Sequence, residues 1–372
     1  MKTYISVLLL LLQNIILLGQ NQNKWTSIDY QTKQVNSSLK INNISDYSFF
    51  LHGEVHSVKS SPQTKMEFLQ YYYKEANVRN LVIEGGYAAA YLFNLYLETG
   101  DEQVICKNGE FCLHKEYREF WRELYEFNST LTEPIKVVGI DDYEITGTWY
   151  KAIEVLFRDK SYQKYSKIDS IVSKIITSSK GIDVLNADYK SLKSLKKEFV
   201  LSYKNHSDLY AELLQQDSIH LRLIIQCDIS TKRTRFTNKI MYDNLHRIMT
   251  AEQINEGNFF GQFGSAHVEN HNRSLTHYLN DLEGSQFHNQ VLTILPKYIG
   301  CYKSYSDLSI ENNTVKTIIS PIRSREKKKI NSLSTCTYIL EELKNKKNKP
   351  NKYTLHVRNK DAMYYDFPEV CD

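Results

Sequence analysis

The chain alternates short apolar runs with longer stretches that repeat apolar residues at helical spacing. The runs are rich in β-branched and aromatic residues and do not alternate strictly with polar positions, which is typical of strands covered on both faces. They occupy residues 47–51, 80–83, 135–140, 259–263 and 291–295. Helices are predicted between them, at 64–75 and 117–125. The pattern therefore predicts an α/β fold, with a mostly parallel sheet covered by helices.

Residues 148–252 differ from the rest because they contain no strand-like run. Ile168, Ile171, Val172 and Ile175 repeat at helical spacing, and similar repeats follow. We therefore predict a helical insertion at 148–252, packed on the sheet of an α/β catalytic-type domain formed by 20–147 and 253–372. Two later runs, 315–319 and 353–357, predict further strands at the edge of the sheet.

The N-terminus predicts export. A basic residue, Lys2, precedes an apolar stretch that ends near Gly19, which is typical of a secretory signal peptide. Cleavage after Gly19 would remove residues 1–19 and leave a secreted or periplasmic protein; an uncleaved membrane anchor is the alternative. No other stretch is apolar for long enough to span a bilayer, so no stable membrane span is expected after cleavage.

Six cysteines fit an exported protein. Cys106 and Cys112 enclose an Asn-Gly turn and are predicted to form a disulfide, and two of Cys301, Cys336 and Cys371 are candidates for a second. The 47 basic and 43 acidic residues nearly balance, so the charge gives no indication of nucleic-acid binding.

Acidic residues and histidines follow four of the predicted strands. They are Glu54 and His56 after the first, Glu84 after the second, Asp141, Asp142 and Tyr143 after the third, and His267 after the fourth. The carboxyl ends of parallel strands share one edge of a sheet, which is where open α/β sheets bind ligands. The sequence therefore predicts one crevice that brings these side chains together.

Carboxylates beside imidazoles support two kinds of chemistry. His56 or His267 can act as the general base on a water while Glu54 or Glu84 orients or acidifies it. Alternatively, Glu54, His56, Glu84 and His267 can bind a divalent metal that lowers the pKa of a bound water. The residues alone leave both open. The chain has no Gly-x-Ser-x-Gly motif and no P-loop, so a serine nucleophile and a nucleotide site are unsupported.

The same segments resemble a known superfamily. The strings GEVH at 53–56 and LVIE at 81–84 are similar to the opening motifs of the erythromycin esterase, ChaN-like and TraB/Tiki proteins. The string GIDDY at 139–143, the string RFTNKIMYDNL at 235–245 and the segment 264–268 resemble the erythromycin esterase branch. The resemblance spans roughly residues 48–295.

The resemblance implies a hydrolase in which a water activated by Glu and His attacks an ester of a small-molecule substrate. It maps the essential positions to Glu54, His56, Glu84 and His267, with Arg235 and Asn244 supporting the site from a helix. Glu54 and His56 are separated by one residue, a spacing closer to the ChaN-like and Tiki branches. Those branches imply the alternatives of a haem- or iron-binding protein and a metal-dependent protease. A binding domain without catalysis is a further alternative.

Overall fold

The fold comes from a computed structural model. It describes residues 26–29, 41–58, 60–105, 114–142, 146–182, 189–228, 237–269, 271–298, 302–311, 314–321, 336–343 and 352–359. The strands are β1 Thr26–Asp29, β2 Phe49–Glu54, β3 Val78–Ile83, β4 Lys136–Gly139, β5 Asn258–Gly264, β6 Val291–Tyr298, β7 Tyr302–Glu311, β8 Thr314–Pro321, β9 Cys336–Leu343 and β10 Lys352–Asn359.

The main sheet has eight strands in the order β1-β9-β10-β6-β2-β5-β3-β4. All neighbours from β10 to β4 pair in parallel, and β9 pairs antiparallel with both β1 and β10. The predicted α/β fold with a mostly parallel sheet is therefore confirmed. Each of the five runs predicted as strands overlaps one of these parallel strands.

The helices are α1 Ser60–Glu75, α2 Tyr87–Thr99, α3 Lys115–Ser129, α4 Thr146–Phe157, α5 Asp169–Gly181, α6 Tyr189–Asn205, α7 Ser207–Leu214, α8 Ser218–Cys227, α9 Thr237–Ala251 and the single turn α10 Ser265–Val268. A π-helix at His277–Asp281 precedes β6. Helix α1 packs against β3 and β5, while α2 packs along β4.

Strand β2 is buried on both faces. Phe49, Phe50 and Leu51 are consecutive, and all are fully shielded from solvent. Successive strand residues point to opposite faces, so helices or loops must cover both. Phe49 stacks on Phe259 of β5 with ring centroids 5.7 Å apart, and Phe50 stacks on Tyr72 of α1 at 4.2 Å. This double burial explains why the strand lacks polar alternation.

The last strands of the chain are not where the sequence places them. The run at 315–319 lies in β8, which pairs with β7 in a separate two-stranded sheet. The run at 353–357 lies in β10, which is not an edge strand because β9 and β6 flank it. Strand order depends on long-range pairing, and here β1 occupies that edge of the sheet.

The described residues between 146 and 251 form helices and connecting segments and contain no strand, in agreement with the helical pattern there. Ile168, Val172 and Ile175 are fully buried, so the predicted repeat does face a core. Helix α4 packs against α2, and α9 packs against β4. The boundaries of the insertion stay a prediction.

Several predictions fall outside the described residues. They concern the signal peptide at 1–19 and Cys106, Cys112, Cys301 and Cys371; for Cys336 only the backbone of β9 is described. Cys227, at the end of α8, is a buried free thiol. Within the described ranges, no helix is both long enough and apolar enough to cross a bilayer.

Candidate active site

Glu54 ends strand β2 as a buried carboxylate with both oxygens engaged. Gln262 of β5 donates its amide to Oε2 at 2.7 Å, while His56 Nδ1 lies 2.8 Å from Oε1 and the Tyr117 hydroxyl lies 3.5 Å from it. Gln262 reaches Glu54 because β2 and β5 pair in parallel, with His52 opposite Gln262. These contacts fix the carboxylate at the carboxyl edge of the sheet.

His56 lies between two carboxylates. Its Nδ1 contacts Glu54, and its Nε2 lies 3.6 Å from Glu84 Oε2, which is too far for a direct hydrogen bond. The side chain is 58% exposed, so water reaches the ring. A carboxylate at Nδ1 holds the proton on that nitrogen and leaves the lone pair of the neutral imidazole on Nε2.

Glu84, directly after β3, is the most strongly perturbed acid of the cluster. Burial alone would raise the pKa of Glu84. The hydrogen bond from His267, the charges of His56 and His267 and the backbone amide of Gly264 outweigh burial and lower that pKa to about 2. His267 Nε2 lies 3.3 Å from Oε1, and the Gly264 amide donates to Oε2 at 2.7 Å. Glu84 is therefore ionised at neutral pH.

Gly264 is required by the close approach of these side chains. A Cβ added there would lie 2.9 Å from His56 Nε2 and 3.4 Å from Glu84 Oε2. Only glycine leaves room for the imidazole to lie over the end of β5. Ser265, the next residue, donates its hydroxyl to the Glu54 carbonyl at 2.9 Å and so ties the ends of β2 and β5 together.

His267 is oriented from its other side by helix α9. Its Nδ1 lies 2.5 Å from Oδ1 of Asn238, near the start of α9. The amide oxygen only accepts, so Nδ1 carries the proton and Nε2 faces Glu84. A proton on Nε2 as well would give an imidazolium paired with the Glu84 carboxylate.

The supporting residues have more varied positions. Asp141 accepts the amide of Asp142 at 2.8 Å, and its own amide donates to the Gly85 carbonyl at 2.9 Å, joining the ends of β3 and β4. Asp142 is fully buried, and neither of its carboxylate oxygens has a hydrogen-bond partner in the part of the chain that the structure describes. Tyr143 and Arg235 lie outside the described residues.

Asn244 is buried at a distance from the Glu/His cluster. It donates to the carbonyls of Ile140 and Cys227 at 3.1 Å each and accepts from Arg247 at 2.6 Å. These bonds join α9 to the end of β4 and to α8. Asn244 therefore supports the site indirectly, by holding α9 against the end of β4 and against α8.

Three partners of the cluster were not selected from the sequence: Gln262, Asn238 and Tyr117. A signal existed for Gln262, because it is a polar residue inside the apolar run of β5. Asn238 lies within the same string that singled out Arg235 and Asn244. Tyr117 could be assigned only to an apolar helical face.

The oxygens of the acidic residues in the cluster are already engaged by the protein. Among the described residues, no group of three or more His, Cys, Asp or Glu is arranged to hold a metal ion. Both oxygens of Glu54 and both of Glu84 contact protein nitrogen atoms instead.

Comparison with known proteins identifies the fold. No protein-family model matches the chain, and no curated protein matches its sequence. A Bacillus cereus protein of solved structure is 13% identical, with a TM-score of 0.56 over 90% of this chain and 95% of that one. A succinoglycan biosynthesis protein is 12% identical, with a TM-score of 0.61 over 92% and 96%.

A mutant of the erythromycin esterase EreC, in its open conformation, is 11% identical, with a TM-score of 0.60 over 94% of this chain and 99% of that one. The chain therefore has an erythromycin esterase-like fold, and the resemblance inferred from its motifs is confirmed at the level of the fold.

Proposed function

We propose that this protein is an exported hydrolase of the erythromycin esterase-like type, in which His56 activates a water that attacks an ester. The pairing of His56 with Glu54 carries the proposal. A buried carboxylate 2.8 Å from Nδ1 orients an imidazole whose side chain is 58% exposed, which is the arrangement of a general base. The fold shared with an erythromycin esterase supports a small-molecule ester or lactone as the substrate.

The base step takes place at His56 Nε2, which lies 3.6 Å from Glu84 Oε2. The attacking water donates a hydrogen bond to this nitrogen. His56 Nε2 takes one proton from this water as its oxygen attacks the substrate carbonyl carbon. Glu54 and the ionised Glu84 then stabilise the imidazolium that forms.

His267 supplies the acid step. When its Nε2 also carries a proton, His267 gives that proton to the alkoxide as the carbon–oxygen bond of the tetrahedral intermediate breaks, while Asn238 and Glu84 hold the ring. The products are a carboxylic acid and an alcohol. Proton exchange through the Glu84 carboxylate and water returns His56 and His267 to their starting states.

The test is a hydrolysis screen over lactones and simple esters with the purified mature chain. We expect His56→Gln to lower kcat on any substrate found by about 10²- to 10⁴-fold, the usual worth of a positioned general base. His206→Gln, at the N-cap residue of α7, is the matched control and should leave kcat unchanged. Full activity in His56→Gln, or a wild-type protein that cleaves no ester, would contradict the proposal.

A chelator separates the water-activation mechanism from a metal-assisted one. We expect full ester hydrolysis after treatment with EDTA. Loss of activity on chelation, followed by recovery with a divalent cation, would instead favour metal-dependent hydrolysis at the same residues.

A further inference from the structure

A second cavity lies beside α2 and the edge strand β4, away from the Glu/His cluster. It has a volume of about 400 Å³, which is within the range of small-molecule sites. Its walls come from α2, the segment that leads into β4, His220 of α8 and Glu252 after α9. None of Glu54, His56, Glu84 and His267 lines it.

One polar network crosses this cavity. The Tyr87 hydroxyl contacts the Glu252 carboxylate and lies 2.7 Å from His220 Nδ1, and Lys136 Nζ lies 2.6 Å from the other Glu252 oxygen. Burial, together with Glu252, raises the pKa of Tyr87 above its usual range, so the phenol keeps its proton and donates it to the carboxylate. Its lone pair must then accept from His220.

That requirement assigns the tautomer of His220. Burial lowers the pKa of His220, so the ring is neutral at neutral pH. With the proton on Nδ1, the lone pair is on Nε2, for which the described residues provide no hydrogen-bond partner. The ring is positioned by Tyr91, whose centroid is 5.0 Å away. The cavity thus presents a fixed acceptor.

Two of the other polar side chains of the wall are already used. Asn94 exchanges hydrogen bonds with the backbone of Val137 at 2.8 Å, and Asn128 does so with Ile135 at 2.9 and 3.0 Å. These amides satisfy the outer edge of β4 and its lead-in. What remains for a ligand is an apolar wall that includes Leu95 and Ile135, together with the His220 acceptor, the Tyr91 hydroxyl and the exposed Glu98 carboxylate.

We propose that this cavity is a second binding site for a neutral molecule with an apolar ring and a hydroxyl group. The hydroxyl donates to His220 Nε2, and the ring packs against Tyr91 and Leu95. An anionic ligand is disfavoured because Glu98 adds a negative charge to the wall, while Lys136 and Glu252 already neutralise each other and His220 is neutral.

The experiment compares two probes, 4-methylphenol and 4-methylanisole; the second has a methyl group in place of the hydroxyl proton and cannot donate a hydrogen bond. Their affinities for the full mature chain are measured by calorimetry or ligand-observed NMR. We expect 4-methylphenol to bind about three- to tenfold more tightly, the worth of one neutral hydrogen bond. In His220→Phe, which keeps a ring beside Tyr91, the two probes should bind equally.

A cavity-filling variant locates the site. Leu95→Trp should abolish binding of both probes, whereas Leu201→Trp, at a leucine that is 58% exposed on α6, should leave binding unchanged. Thermal unfolding of each variant verifies that it is folded. No binding of 4-methylphenol to the wild type, equal affinity for both probes, or unchanged binding in Leu95→Trp would each overturn the proposal.

Discussion

Replacing Glu84 with glutamine tests the electrostatics of the candidate active site without needing a substrate. The contacts of Glu84 lower its pKa from 4.5 to about 2. Each pKa unit corresponds to about 1.4 kcal/mol, so the ionised carboxylate stabilises the fold by about 3 kcal/mol. The shift is downward, so this stability is fully present above the unfolded pKa and is lost as the pH falls from about 4.5 towards 2.

The measurement is the free energy of unfolding in urea, for wild type and Glu84→Gln, as a function of pH. Glutamine does not titrate, so the difference between the two proteins isolates Glu84 from the other carboxylates. We expect this difference to shrink by about 2 kcal/mol between about pH 6 and pH 3.

Glu119→Gln serves as the control, because that side chain is 55% exposed and lies 3.6 Å from Lys115. Its difference from wild type should vary by less than about 0.5 kcal/mol over the same range. If the Glu84→Gln difference were equally flat, the ion-pair account of Glu84 would be wrong.

Three further predictions follow from the contacts around the cluster. Gly264→Ala should lower the kcat of ester hydrolysis at least about tenfold, because the added Cβ displaces the His56 ring. The change in Tm should be small, because this ring is exposed and the backbone does not have to move. An unchanged kcat would contradict this prediction. Asn238→Ala should lower kcat about tenfold, because His267 loses the acceptor that orients its ring. Asn238→Asp keeps an acceptor oxygen and should retain most of the wild-type kcat. An equal loss of kcat in both variants would rule out an orienting role for Asn238. Burial lowers the pKa of His52 to about 3, so the free energy of unfolding of the wild type falls as the pH drops below about 6.5. His52→Phe should remove about 2–3 kcal/mol of that loss by pH 4.5. If urea unfolding showed the same loss between pH 6.5 and pH 4.5 in wild type and variant, this prediction would be wrong.

The central part of the fold follows from the sequence because burial on both faces leaves a direct trace in it. Phe49 to Leu51 and Leu81 to Ile83 are consecutive apolar residues, and all six are at most 1% exposed. The order of the strands in the sheet leaves no comparable pattern in the sequence. The sequences of β8 and β10 look alike as short β-rich runs, yet β10 joins the main sheet beside β6 and β8 pairs with β7. Pairing partners so far apart along the chain are set by packing, which local pattern does not encode.

In the candidate site too, the sequence predicts which residues meet at the edge of the sheet but not the contacts that orient them. Parallel strands deliver whatever follows them to one edge, so the approach of Glu84 to His56 and His267 required only strand ends and residue types. The orienting contacts depend instead on register and on the direction of a helix. Gln262 reaches Glu54 because it lies opposite His52 across the β2–β5 pair.

Asn238 shows what that detail decides. It binds His267 from the start of α9, whereas Asn244, six residues later on the same helix, is buried against Ile140 and Cys227. Six residues correspond to about 9 Å along a helix, so the two asparagines cannot serve the same side chain. The motif alone selected Asn244, which holds the scaffold together, whereas Asn238, which fixes the histidine tautomer, lies one to two turns nearer the start of α9.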